Sequence, residues 1–257
     1  MAGRVARLIG ELLHHRAVAR WRQTAALAAE ADVTTLRLIR NGGRQLRAEI
    51  DVALGAVESR LAHPKGQDAR IMRRPGMDWA WRPELWSGPV HPPGLAPAPR
   101  HASLSRHGKV YHDCDLGEIT LRQFRNKGVE DLSPFGCAIE VLGFHGTFLS
   151  LVIDLPEAGM KDLSTRHVLR LETLLEAERP LTVYARLNLR CGPNTEQIAA
   201  ELDQSGKPAE VEFDLAYADF ATDQLDRAWI DLFFENPAMN RVALRDLTLS
   251  RVVRAAY

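Results

Sequence analysis

The feature that most constrains this chain is a strict alternation of apolar and polar side chains, a period of two that fits an extended strand with one buried face. In Leu181-Thr182-Val183-Tyr184-Ala185-Arg186-Leu187-Asn188-Leu189-Arg190 every odd position is apolar and every even one is polar or amphipathic. The pattern returns as Val211, Phe213, Leu215 and Tyr217 against Glu210, Glu212 and Asp214. It returns again as Ala228, Ile230, Leu232 and Phe234 against Trp229, Asp231, Phe233 and Glu235. Further strands are predicted over 110–115, 118–125, 137–144, 147–155, 167–176, 196–203 and 241–252. Turn signals such as Asn126-Lys127-Gly128, Glu178-Arg179-Pro180 and Gly192-Pro193-Asn194 separate them. Strands at this rhythm, without helices long enough to serve as crossovers, predict an antiparallel β-sandwich over residues 101–257, most simply a jelly roll. In 241–252 the apolar phase slips from Val242 and Leu244 to Leu247 and Leu249, which predicts a β-bulge at Arg245-Asp246.

Residues 1–62 follow a different rule. They contain no proline and are rich in Ala, Leu, Arg and Glu, so an α-helical region precedes the mainly β domain. Val5, Leu8, Ile9 and Leu12 form one apolar stripe, and Leu36, Ile39, Gly43, Leu46, Ile50, Ala53 and Val57 alternate spacings of three and four as a heptad seam. Asn41-Gly42-Gly43 weakens that seam, since glycine costs about 1 kcal/mol in a helix interior. The seam fits a coiled coil that makes the protein a homo-oligomer, and it fits equally a helical hairpin packed within one chain. The region is also basic: up to Arg74 there are 14 Lys and Arg against 7 Asp and Glu, although the whole chain balances at 33 of each. These charges are spread at helical intervals with Trp21 alone among them as an aromatic. That pattern predicts a solvated helical face, or attraction to the acidic remainder, and no nucleic-acid surface.

Residues 63–100 hold Pro64, Pro75, Pro83, Pro89, Pro92, Pro93, Pro97 and Pro99, more than half of the 14 prolines, together with Trp79, Trp81, Leu85 and Trp86. A tether without regular elements is expected, its indoles wrapped onto the following domain because exposed indoles invite aggregation. No run approaches the roughly 18 apolar residues of a membrane span. Arg4, Arg7, Glu11, Arg16 and Arg20 also exclude a signal peptide from the first twenty residues. Cys114, Cys137 and Cys191 are isolated, which argues against a disulfide framework and for a cytoplasmic location. No G-x-S-x-G, G-x-G-x-x-G or P-loop occurs, and no cofactor is implied.

The closing run Ala228-Trp229-Ile230-Asp231-Leu232-Phe233-Phe234-Glu235, the loop Asn236-Pro237-Ala238-Met239-Asn240 and the run Val242-Ala243-Leu244-Arg245-Asp246-Leu247-Thr248-Leu249 resemble the final two strands of carbohydrate-binding-type jelly rolls. Such domains end in an apolar-Arg/Asp-Asp-apolar-x-apolar phrase. Asp78-Trp79-Ala80-Trp81-Arg82-Pro83-Glu84-Leu85-Trp86, Gly192-Pro193-Asn194-Thr195-Glu196-Gln197 and Phe213-Asp214-Leu215-Ala216-Tyr217 are similar to an uncharacterised alphaproteobacterial family of unknown function, over most of the chain after about residue 76. The resemblance implies the fold and no assigned activity.

Three constellations carry chemistry. His112-Asp113-Cys114-Asp115 packs ligand types together, but on a strand His112 and Cys114 face one way and Asp113 and Asp115 the other, so no metal site is expected. Glu212 with Asp214, and Asp231 with Glu235, are spaced for glycoside hydrolysis if paired carboxyls face a sugar. Finally, Tyr184, Arg186, Asn188, Trp229, Asp231 and Phe233 are expected on an outward face, joined there by Glu212 and Asp214. Aromatic platforms beside planar hydrogen-bonding groups suit a sugar. The same face is alternatively an internal one, covered by the Trp79–Trp86 segment. A non-catalytic binding or assembly protein for a glycan or protein partner is the leading expectation. The alternatives are a glycoside- or polysaccharide-acting enzyme on the same sandwich and a structural subunit of a particle.

Overall fold

The computed structural model describes residues 2–62, 71, 74–128, 131–220 and 222–254, without the side chains of 2–10, 12, 48, 51, 52, 55, 56, 58–62 and 223. The chain divides into two compact units, Met1–Leu54 and Gly55–Tyr257.

Helices α1 (Ala2–Leu27) and α2 (Val33–Ala62) account for the first region. Asp32 starts α2 as a cap, its carboxylate accepting from the Thr35 N–H at 2.8 Å and hydroxyl at 3.2 Å. The helix continues through Gly42-Gly43 without a break. The Trp21 ring of α1 lies opposite Gly43, where a Cβ would meet it at an ordinary contact distance of 3.4 Å. One position of the heptad seam is thus covered within the chain. Leu36, Leu46, Ile50 and Val57 remain 39–53% exposed. The stripe Val5, Leu8, Ile9 and Leu12 lies outside the described side chains.

Two antiparallel sheets form the sandwich, with strands numbered along the chain. The seven-stranded sheet runs β11 (Ala209–Asp214), β8 (His167–Ala177), β13 (Asn240–Val253), β6 (Phe135–Val141), β5 (Ile119–Arg125), β2 (Gly94–Leu95), and β1 (Met77–Trp81) pairs with β13. The six-stranded sheet runs β10 (Asn194–Glu201), β9 (Val183–Cys191), β12 (Leu225–Phe234), β7 (Leu149–Asp154), β4 (Gly108–His112), β3 (His101–Ser103). The core between them is the alternation read from sequence: Val183, Ala185, Leu187 and Leu189 of β9 and Ala228, Ile230 and Leu232 of β12 are fully buried, as are Phe213, Leu247 and Leu249 of the other sheet.

The predicted bulge is present, with the β13–β8 register shifting between Leu244 and Asp246. It marks a change of partner. On its other edge β13 pairs with β6 up to Leu244 and with β1 from Leu249 onward, so the carbonyls between need donors from elsewhere. The Trp86 Nε1–H donates to the Leu244 carbonyl at 2.8 Å, and the Asn126 side-chain amide donates to the Arg245 carbonyl at 2.8 Å.

The proline-rich stretch therefore enters the sheet as well as packing on it. Between Pro75 and Pro83 no proline interrupts the chain, and Met77–Trp81 forms β1. Helix α3 (Glu84–Ser87) then buries Leu85 and Trp86 completely. Arg82 makes a two-armed, buried ion pair with Asp246, at 2.7 and 2.9 Å. Trp79 is seated over α4 (Glu157–Met160), where a Cβ on Gly159 would fall 2.6 Å from its ring. Among the described residues no helix is long and apolar enough to cross a membrane.

Candidate functional site

Cross-strand partners share a face, so the register of the six-stranded sheet specifies which side chains meet on its outer surface. Tyr184 of β9 pairs with Phe233 of β12, Phe233 with Ser150 of β7, Ser150 with Tyr111 of β4, and Tyr111 with His101 of β3. This is a nearly continuous aromatic row, ending in the Tyr111 and His101 rings with centroids 4.9 Å apart. The next row sets Arg186 opposite Asp231, then the apolar Val152, then Lys109. A third row sets Gln197 of β10 beside Asn188, Trp229 and Asp154. All six residues predicted from sequence, Tyr184, Arg186, Asn188, Trp229, Asp231 and Phe233, are brought together on adjacent strands.

Their roles differ from the expectation in one respect. Asn188 and Asp231 were expected to face a ligand as planar hydrogen-bonding groups, yet they are 0% and 5% exposed. The Asp231 carboxylate accepts from Arg186 Nη2 at 2.8 Å, Arg186 Nε at 3.1 Å and the Asn188 amide at 2.9 Å, while Gln197 donates to the Asn188 carbonyl oxygen at 3.0 Å. A buried carboxylate is tolerated only when paired and hydrogen-bonded, and this network satisfies it. Asn188 and Asp231 therefore fix Arg186 and Gln197. The groups that reach the surface are Tyr184, which is 42% exposed, Gln197, and the half-buried Trp229, Phe233 and Arg186.

Arginines stack on two of the aromatic rings. The Arg186 guanidinium lies 4.7 Å from the centroid of Phe233, and that of Arg227 lies 4.6 Å from the centroid of Trp229. Arg227 and Lys109 share the carboxylate of Asp154, Lys109 Nζ at 2.5 Å. Burial pushes the Asp154 carboxyl upward, but the two cations outweigh it and hold it below the usual carboxylate range. The Trp79–Trp86 segment belongs to the opposite sheet. Trp79 stacks against Trp81 at 6.3 Å, and Trp81 meets His107 at 5.1 Å.

Glu212 and Asp214 do not join this face. They lie on β11 of the seven-stranded sheet, where Glu212 pairs with Arg170 and Asp214 accepts from the Ala216 N–H at 3.0 Å and approaches Arg254 at 3.4 Å. Asp231 and the exposed Glu235 belong to the six-stranded sheet and its end. The two expected pairs thus lie on opposite sheets, and within them Glu212 is taken up by Arg170 and Asp231 by Arg186 and Asn188.

The His112–Asp115 cluster is likewise dispersed into structural roles. His112 is buried with Nε2 3.2 Å from the Ala98 carbonyl, and Cys114 is buried with its thiol 3.9 Å from the Gly143 carbonyl. Asp113 accepts from the Thr147 hydroxyl at 2.6 Å and from the Thr147 and Phe148 N–H groups, which bring its carboxyl down to about 2. Among the described residues no group of three His, Cys, Asp or Glu is placed to hold a metal.

Sequence reasoning missed Tyr111, His101, Lys109, Asp154 and Arg227 as members of the face. The alternation in Gly108–His112 does turn Lys109 and Tyr111 outward, but nothing local indicates that β4 shares a sheet with β9. A separate groove of about 700 Å³ lies beside β8 and the bulge of β13, lined by Asp131, Leu132, Leu174, Glu176, Lys207 and Arg245.

Fold and face together define a jelly-roll-like β-sandwich protein that follows two helices and carries an aromatic, arginine-rich outer sheet face. The chain belongs to the family of unknown function DUF6478, whose model matches residues 1–257. No curated protein matches it. Among solved structures it is similar to the enzymatically active domain of bacteriophage CBA120 tailspike protein 4, at 9% identity and a TM-score of 0.39, over 56% of this chain and only 19% of that one. It is similar also to a family 11 carbohydrate-binding module of Clostridium thermocellum in complex with a β-1,3-1,4-mixed-linked tetrasaccharide, at 9% identity and a TM-score of 0.38, over 62% and 97% of the two chains. A xylan-binding domain from Paenibacillus barcinonensis is similar at 9% identity and a TM-score of 0.35, over 63% and 94%.

Proposed function

We propose that this protein is a non-catalytic binding protein that recognises a glycan on the outer face of its six-stranded sheet. The observation that carries the reading is the row Tyr184, Phe233, Tyr111 and His101 lying beside Trp229, Arg186 and Gln197. The row crosses five strands, β9, β12, β7, β4 and β3, and at about 4.8 Å spacing it spans about 19 Å, the scale of a short oligosaccharide. Aromatic faces stack on the C–H faces of sugar rings, and the fixed arginine and amide groups hydrogen-bond to hydroxyls. The Asp231 network holds those donors in place before a ligand arrives, which lowers the entropic cost of binding. The reading makes no use of Glu212, Asp214, Asp231 or Glu235 as catalysts.

Two further proposals accompany it. Cysteines as few and as far apart in sequence as Cys114, Cys137 and Cys191 suit a reducing, cytoplasmic compartment. The exposed leucines and isoleucine of α2 suit self-association as a coiled coil, which would multiply weak single-site binding. The test of the main reading is a glycan array with the full chain and its Tyr184→Ala/Trp229→Ala variant. Binding that falls by about ten-fold or more in the variant supports it; binding that is unchanged overturns it.

A further inference from the structure

At the Trp229 end of this face, Arg190 of β9 stands directly across from Arg227 of β12. Like charges placed opposite each other on neighbouring strands destabilise a sheet unless something of opposite sign accompanies them. Two carboxylates are near. Asp154 is shared by Lys109 and Arg227, and Asp226 is turned to the Gly192 N–H at 2.9 Å. Arg190 is exposed and, among the described residues, has neither a hydrogen bond nor an ion pair. Arg227 lies over the Trp229 indole and shares Asp154 with Lys109, and the exposed Arg190 stands across the ladder from it.

We propose that the glycan recognised here is acidic, with a carboxylate, sulfate or phosphate substituent held by Arg190 and Arg227 and its sugar ring against Trp229. This rests on the glycan-binding reading and deepens it. A planar guanidinium that is free of internal partners offers parallel N–H donors to an anionic group. Arg227, its ladder partner, is already held by Asp154 and by the Trp229 indole.

The test is calorimetric titration of the full chain with a galacturonate trisaccharide, its methyl ester, a sulfated galactose trisaccharide and neutral galactotriose, repeated with Arg190→Gln. Because Arg190 is exposed and unpartnered, this variant leaves the fold intact, which its melting curve checks. The expected result is that at least one acidic trisaccharide binds about ten-fold or more tighter than its neutral counterpart. That advantage is lost in Arg190→Gln and shrinks as salt is raised. The acidic probe that binds distinguishes carboxylate from sulfate as the recognised group. Equal binding of neutral and acidic sugars, unaffected by Arg190→Gln, overturns the proposal and leaves the glycan reading standing. Absence of binding by every trisaccharide, with a glycan array that is also blank, overturns both.

Discussion

Asp113 accepts from three donors, the Thr147 N–H and hydroxyl and the Phe148 N–H, and its carboxyl is brought down to about 2 from an ordinary 3.8. A folded value below the unfolded one means that its stabilisation is fully present above about pH 4 and is lost as the pH falls through the folded value near 2. Asp113→Asn is therefore expected to lower stability to denaturant at about pH 6, and the gap from the parent is expected to narrow toward about pH 2. A gap independent of pH contradicts that account. Cysteine chemistry is set by the same kind of local environment. Burial alone pushes the Cys137 thiol up to about 12, and Cys114 is 3% exposed, whereas Cys191 is only partly buried. A thiol reagent is expected to label Cys191 in the native protein and all three cysteines after unfolding. Rapid native labelling of Cys137 would count against the packing described.

At the scale of elements, β13 organises the sandwich by serving β6 before its bulge and β1 after it, with Trp86, Asn126 and Arg82 closing the junction. Asp246→Ala removes the carboxylate that meets the buried Arg82 with two hydrogen bonds and is expected to cost about 3–5 kcal/mol; Trp86→Ala is expected to cost about 3–5 kcal/mol. A chain starting at residue 71 should melt cooperatively, and one starting at His101, which lacks β1, α3 and β2, should not, as read by circular dichroism. Cooperative melting of the shorter chain would show that the junction is dispensable. The strands and the bulge were legible because a period of two, and a slip in it, is written in consecutive residues such as Leu181–Arg190 and Val242–Leu249. β1 was not legible, because flanking prolines masked a five-residue strand whose partner lies at the far end of the chain. The same limit governs the site. Alternation tells which way Glu212 or Asp231 points relative to its own strand, and it is silent on which sheet the strand joins and which neighbour takes up the charge. Glu212 consequently falls on the opposite sheet, and Asn188 and Asp231 are consumed by each other and by Arg186.

For the whole molecule, the two helices and the sandwich combine a proposed self-association seam with a proposed binding face. Replacing Leu46 and Ile50 by Asp places charges on the exposed seam of α2. If that seam joins copies, light scattering should show an oligomer in the parent and a folded monomer in the variant. A monomeric parent at micromolar concentration removes the seam as an assembly device. The central claim, that the outer face of the six-stranded sheet receives a glycan, is tested most directly by hydroxyl-radical footprinting of the full chain with and without its strongest array ligand. The predicted result is protection at Tyr184, Trp229 and Phe233, with Leu132 and Leu174 of the other groove unchanged. Protection at Leu132 and Leu174 with Tyr184 and Trp229 unchanged would contradict it.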